Sequence, residues 1–299
     1  MSPGSNATWV SDPPFLWTST FLLSIATLAL ILWPLAPFTV QPRTVALAGL
    51  GLLAGLHGAS YGAYKDSPHE SFLARRFVRE LAIAFVAALA LASFDAAGSQ
   101  CLFVAFVTTF AVTRIATECW KLFLRTEPQQ DYRIPTQFHC VKSVVHQPWI
   151  RLLAGAGFLA SIYGLYCLFT LLPQDMPKAV RGMLVGAGFG FAEAIAGAYK
   201  DGCIEGFSAR KFFLKSPVFG ALGGLIAFPH TGTLIFLMLT AYGCSRMFLE
   251  LFFKILAPGY APGKFRSMTG SFAEWTRQRR YFLLPYGVTW LFWLGLQLR

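Results

Sequence analysis

The stretch GAYKDSPHESFLARRF at residues 62–77 returns as GAYKDGCIEGFSARKF at residues 197–212, with ten of the sixteen positions identical. Lys65 and Lys200 stand 135 residues apart, and the match extends beyond the quoted stretch. Thr113-Arg114-x-x-x-Glu118 comes back as Ser245-Arg246-x-x-x-Glu250 at an offset of 132, a slip that loop length absorbs. Self-similarity at a fixed offset is the signature of an internal repeat. Whatever surrounds the first copy should therefore surround the second.

What surrounds both copies is apolar. The 299 residues are 55% hydrophobic, 16% aromatic and only 13% charged, a composition foreign to a soluble domain. A bilayer's hydrocarbon layer requires about 20 mostly apolar residues per spanning helix. Nine such runs are expected, at 15–37, 43–63, 78–97, 100–124, 149–172, 178–199, 212–229, 231–257 and 280–298. The third and seventh are the shortest in purely apolar length, 81–93 and 218–228. The first run has no basic segment before it and no small-x-small site after it, so it reads as a retained span. The expected fold is an all-α polytopic integral membrane protein of about nine transmembrane helices. They divide into a tail at 1–14, one four-helix repeat at 15–145, a second at 146–279 and a C-terminal helix at 280–299, which resembles the start of a third copy.

The formal charge of +11 is confined to one set of connections. Of 25 Lys and Arg residues, 19 lie in the segments between runs 2 and 3, 4 and 5, 6 and 7, and 8 and 9, counted with their helix ends. That is the positive-inside pattern. It predicts a cytoplasmic N-terminus, a C-terminus on the opposite side, and an inner bacterial or organellar membrane. The expected partners are membrane lipids, through anionic headgroups at the cytoplasmic face, with a homo-oligomer or larger membrane assembly left open. No nucleic acid is needed to explain the charge. The nominal sequon Asn6-Ala7-Thr8 would be cytoplasmic and bare. Four-span units enter from the same side, so the repeats are parallel and related by an axis along the membrane normal.

The glycines suggest which helices approach closely. Gly51-x-x-x-Gly55 and Gly58-x-x-x-Gly62 mark the second run, and Gly182-x-x-x-Gly186-x-x-x-Gly190 the sixth. Small residues at that spacing line one helix face, and these two helices are expected to meet at the pseudo-symmetric interface.

In its architectural reading the repeated motif ends one helix and starts another. Ser67 suits an N-cap, Pro68 the first helical position and Glu70 a capping box, with Gly202 and Glu205 corresponding. A cap does not explain the adjacent Lys-Asp pair. Lys65, Asp66, Glu70 and Arg75, with Lys200, Asp201, Glu205 and Arg210, are the expected ligand-binding or gating residues at the cytoplasmic mouth. Arg114 and Arg246 fall in mid-run, where a charge costs on the order of 3 kcal/mol. Ion pairs with Glu118 and Glu250 at i+4 would offset part of this. His57 and Glu193, in the glycine-rich runs, are candidate proton-handling groups.

The six cysteines show no C-x-x-C spacing and read as packing residues. His139, Cys140 and His146 lack an evident fourth ligand, so no metal is assigned and the cofactor stays unknown. The chain carries no Walker A loop, nucleophile elbow, zinc-protease helix or dinucleotide fingerprint. The expected function is pseudo-symmetric transport of an anionic or phosphate-bearing solute or lipid, by a transporter, channel or lipid translocator. A structural subunit of a membrane complex is the alternative. An enzyme acting on a lipid or polyprenyl phosphate is the third reading, disfavoured because both motif copies survive.

Overall fold

The computed structural model describes residues 43–70, 72–94, 101–125, 138–140, 143–205, 209, 213–257 and 273–297. The expected tail 1–14 and run 15–37 lie outside them. In chain order the helices are α1 (Arg43–Glu70), α2 (Ala74–Phe94), α3 (Leu102–Cys119), α4 (Pro148–Thr170), α5 (Lys178–Glu205), α6 (Lys215–Ala227), α7 (Leu234–Glu250), α8 (Ala273–Gln278) and α9 (Leu283–Gln297). A short antiparallel hairpin, β1 (His139–Cys140) and β2 (Ser143–Val144), precedes α4. Among the described residues, four stretches are long and apolar enough to cross a membrane: Leu102–Leu124, Pro148–Thr170, Lys178–Lys200 and Leu234–Ile255. The protein is an all-α membrane protein. Its chain forms two compact units, residues 1–96 with 268–299, and residues 97–267. All four of these apolar stretches belong to the second unit.

In the first unit α1 packs along α2. A Cβ on Gly51 would sit 2.6 Å from the Ala88 methyl, and one on Gly55 would sit 2.8 Å from the Ala84 methyl. Each step of four along α1 meets a step of four backwards along α2, the signature of an antiparallel hairpin. α9 covers another part of α1. The buried His57 ring stacks on Tyr286 at 4.6 Å, and its Nδ1 lies 2.7 Å from the Thr289 hydroxyl. That hydroxyl donates its one hydrogen to the Tyr286 carbonyl, so His57 Nδ1–H is the donor to it.

In the second unit α5 and α6 approach more closely still. Gly182 lies against Gly224, Gly186 against Gly220, and Gly190 against Ser216, so closely that a side chain at any of these glycines would strike backbone. The glycine faces of α1 and α5 are thus filled by the next helix in the chain. The physical reason is local: a short connection places α2 beside α1 and α6 beside α5 first, and a small-residue face is satisfied by whichever backbone reaches it.

The GAYKD motif ends no helix. α1 continues through Ser67 and Pro68 to Glu70, and α5 continues through Gly202 to Glu205. The capping-box reading is overturned, and Ser67 is buried with a hydroxyl that caps nothing. Tertiary packing overrides the local helix-breaking tendency of Pro68. One turn before it, Tyr64 lies under the Arg279 guanidinium at 4.8 Å, and just after the helix Phe72 stacks on Phe282 at 5.1 Å and packs at 5.3 Å against Trp275. Each helix has 28 residues, about 42 Å at 1.5 Å per residue, against roughly 30 Å of hydrocarbon. Lys65 and Lys200 fall roughly 33 Å from the helix starts.

α3 and α7 also finish alike. Each passes into a wide turn, Trp120–Leu124 and Leu251–Ile255, closed by i→i−5 bonds from Arg125 N–H to the Trp120 carbonyl (2.8 Å) and from Leu256 N–H to the Leu251 carbonyl (2.9 Å). Such π-turns concentrate at functional positions. α4 begins at Pro148, its start held by the Arg151 guanidinium donating to the Arg125 carbonyl. Most of α4 is exposed, including Leu152, Leu153, Leu159 and Leu168, a surface suited to lipid.

Candidate functional site

The second unit brings three helices together in the same chain direction. Phe189 of α5 packs on Tyr242 of α7 at 5.1 Å, and one turn on in each helix Glu193 meets Arg246. On α3 and α7 the hydroxyls of Thr108 and Thr240 lie 3.1 Å apart, fully buried, and Gly243 gives Val107 room to approach. Thr108 and Thr240 are separated by 132 residues, the offset of the Arg114 and Arg246 match.

Below the threonines lies an inner tier of charge. Arg246 contacts Glu193 at 2.6 Å and Glu250 at 3.3 Å, and Arg114 reaches the same Glu250 oxygen at 3.7 Å. Glu250 is only 2% exposed, Arg114 10% and Glu193 12%, whereas Arg246 keeps 26%. The two arginines stand twelve residues into helices that begin at Leu102 and Leu234, roughly 18 Å along the axis. At that depth a guanidinium cannot face hydrocarbon cheaply, and carboxylates from neighbouring helices offset the cost.

An outer tier follows one turn on. Glu118 of α3 accepts from Lys200 of α5 at 3.0 Å and from Lys121 at 3.1 Å. The i+4 pairing expected from sequence is present in α7, between Arg246 and Glu250. In α3 the charges also reach across helices, Arg114 to Glu250 and Glu118 to Lys200.

Beside Lys200, Tyr199 fixes the β-hairpin to α5. Its ring stacks on His139 at 4.6 Å, while its hydroxyl donates to the His139 carbonyl (2.6 Å) and accepts from the His139 N–H (3.1 Å). Removing that hydroxyl with Tyr199→Phe is expected to cost about 1–2 kcal/mol and to open the hairpin to limited proteolysis. Lys200→Gln, at a pair about a quarter exposed, should change thermal stability by less than about 1 kcal/mol.

The remaining expected residues are distributed as follows. Lys65 pairs with Asp66 at 3.3 Å, with its ammonium 5.6 Å from the Tyr61 ring centroid. Arg75 is exposed on α2. His57 is held in the α1–α9 contact, by Thr289 and Tyr286. Arg210 and the side chains of Glu70, Asp201 and Glu205 lie outside the described residues. Sequence reasoning missed Glu80, a buried carboxylate on α2 whose Oε1 lies 2.9 Å from where Gly58 would carry a Cβ. It also missed the Tyr199–His139 clamp and the threonine contact, although two threonines at the repeat offset inside apolar runs were a usable signal.

Fold and site together define an all-α membrane protein with a buried, interhelical ionic network. Comparison with protein-family models, with curated proteins and with solved structures gave no match.

Proposed function

We propose that the protein is a pseudo-symmetric membrane transport protein for an anionic or phosphate-bearing solute or lipid, built from two parallel copies of a four-helix unit and a ninth, C-terminal helix. The observation that carries the reading is Arg246: a cation roughly 18 Å along a membrane helix that keeps 26% exposure. In a bilayer, that exposed part needs water or a ligand. The path follows α3, α5 and α7, past the Thr108–Thr240 contact and the inner tier to the outer tier of Glu118, Lys121 and Lys200.

Several observations support the duplication. α1 and α5 start at Arg43 and Lys178 and end at Glu70 and Glu205, 135 residues apart at both ends. The Gly51–Ala88 and Gly55–Ala84 contacts recur as Gly186–Gly220 and Gly190–Ser216, with the first helix offset by 135 and its partner by 132. Repeat-equivalent residues touch where a pseudo-two-fold axis passes, as Thr108 and Thr240 do. The basic segments and both Lys-Asp motifs then belong to the cytoplasmic side of an inner bacterial or organellar membrane. There Lys65, Asp66, Glu70, Arg75, Lys200, Asp201, Glu205 and Arg210 form charged ends that attract and admit anions.

The test is flux in proteoliposomes of inorganic phosphate, with scrambling of a phosphate-bearing lipid measured beside it. Arg246→Gln should abolish the transported arm while the protein stays folded in detergent. Wild-type protein inactive in both arms would favour the structural-subunit reading, to which the lipid-suited α4 surface is suited.

A further inference from the structure

We propose that Arg114 and Arg246 together bind a phosphate-type anion inside the second unit, and that Glu193 is the carboxylate this anion displaces, taking up a proton as it leaves Arg246. The inference rests on the transport reading above for its setting and adds the energy coupling.

The two guanidiniums are already gathered. An Nη2 of each lies on one oxygen of Glu250, at 3.7 Å and 3.3 Å, so the two nitrogens cannot be further apart than those distances combined. A tetrahedral oxyanion offers several acceptor oxygens across such a gap, and guanidinium donors match it better than a point charge would. Glu250, 2% exposed and shared by both arginines, is the fixed member.

Glu193 is the exchangeable one. It holds Arg246 through Oε1 alone, while Oε2 is buried without a hydrogen-bond donor. Glu250 also uses one oxygen, but it holds two arginines and is 2% exposed, whereas Glu193 holds one and is 12% exposed, so Glu193 is the carboxylate whose departure disturbs less. Its position also differs between the copies. The residue 135 places earlier is Gly58, and there Glu80 of α2 brings its carboxylate into the space that a side chain would take. Both helical hairpins therefore keep a carboxylate at this level, Glu80 buried and Glu193 12% exposed, delivered from different helices. Packing alone gives no reason to supply it twice, whereas a charge requirement does.

The proton follows from burial. Once an anion occupies Arg246, an ionised Glu193, only 12% exposed, would face that anion and Glu250 without a counter-charge of its own, a state that protonation relieves. The groups around it are Arg246 directly, Glu250 and Arg114 through Arg246, and Tyr242 of α7, while on the α6 side Ser216 lies against Gly190, one turn before Glu193. Anion binding therefore tightens as pH falls, and each bound anion carries about one proton with it.

The experiment measures proton uptake by the intact purified protein in weakly buffered solution, with a pH indicator. One arm adds inorganic phosphate; the other transfers the protein into lipid nanodiscs with or without phosphatidylglycerol. Uptake in the phosphate arm that Glu193→Gln abolishes supports the proposal for a free anion. The same result only with phosphatidylglycerol supports it for a lipid headgroup. Arg246→Gln should weaken the responding arm roughly thirtyfold or more. No uptake in either arm overturns the proposal, and so does uptake that Glu193→Gln leaves intact. Glu193→Asp, which keeps a carboxylate, should retain the uptake that Glu193→Gln loses, and loss of uptake in both would also overturn the proposal. Proteoliposome flux that continues without proton uptake would leave transport standing while removing its coupling.

Discussion

Gly186→Leu is expected to destabilise the second unit by more than about 3 kcal/mol, leaving little folded protein in detergent. Gly186 faces the Gly220 backbone so closely that not even a methyl group fits, and backbone cannot step aside as a side-chain tip can. To admit a leucine, α5 and α6 must part along their length, breaking the contacts at Gly182–Gly224 and Gly190–Ser216 as well. Gly157→Ala is the control. Nothing lies within 4 Å of a Cβ at Gly157, and alanine is the better helix former by about 1 kcal/mol. Fluorescence-detected gel filtration and thermal unfolding should show the first variant lost and the second at least as stable as the parent. Equal behaviour of the two would mean that the glycine interlock is wrong.

Glu250→Ala has the second largest expected effect, about 3–5 kcal/mol of lost stability. Glu250 is 2% exposed and takes Arg114 and Arg246 on one oxygen, so its removal leaves the buried Arg114 without its carboxylate and Arg246 with Glu193 alone. A double-mutant cycle makes the prediction sharper. Arg114→Ala in the Glu250→Ala background should cost much less than Arg114→Ala alone, because the orphaned charge is removed with it. Additive losses would show that the pair is incidental.

The membrane class was legible because it depends on composition and run length, which lipid enforces on every spanning helix. The sequence identity around Lys65 and Lys200 is visible in the chain, and it is the basis of the proposed duplication. The partners of the helix faces were not legible. A glycine ladder says that something comes close, and the same pattern would serve any neighbouring backbone, so α6 could not be chosen over another helix for Gly186. Pro68 and Ser67 carry a strong local signal for a helix start. That signal lost to the aromatic cluster of Phe72, Trp275 and Phe282, whose members come from opposite ends of the chain. Arg114 and Arg246 were recognised as costly charges, but their acceptors on other helices depend on register, which a single sequence does not encode locally. Glu80 escaped notice because it follows Arg79 in a stretch that reads as a solvated basic face.

Central to the proposed function is that α3 and α7 meet at Thr108 and Thr240, 132 residues apart, and that an anion passes along this seam. Its most direct test is flux through protein in which the native cysteines are replaced and Thr108→Cys is combined with Thr240→Cys. The hydroxyls at 3.1 Å put the two side chains within reach of a disulfide. Oxidation should form that bond and stop flux, and a reductant should restore it. A bond that fails to form, or one that forms while flux continues unchanged, would contradict the account.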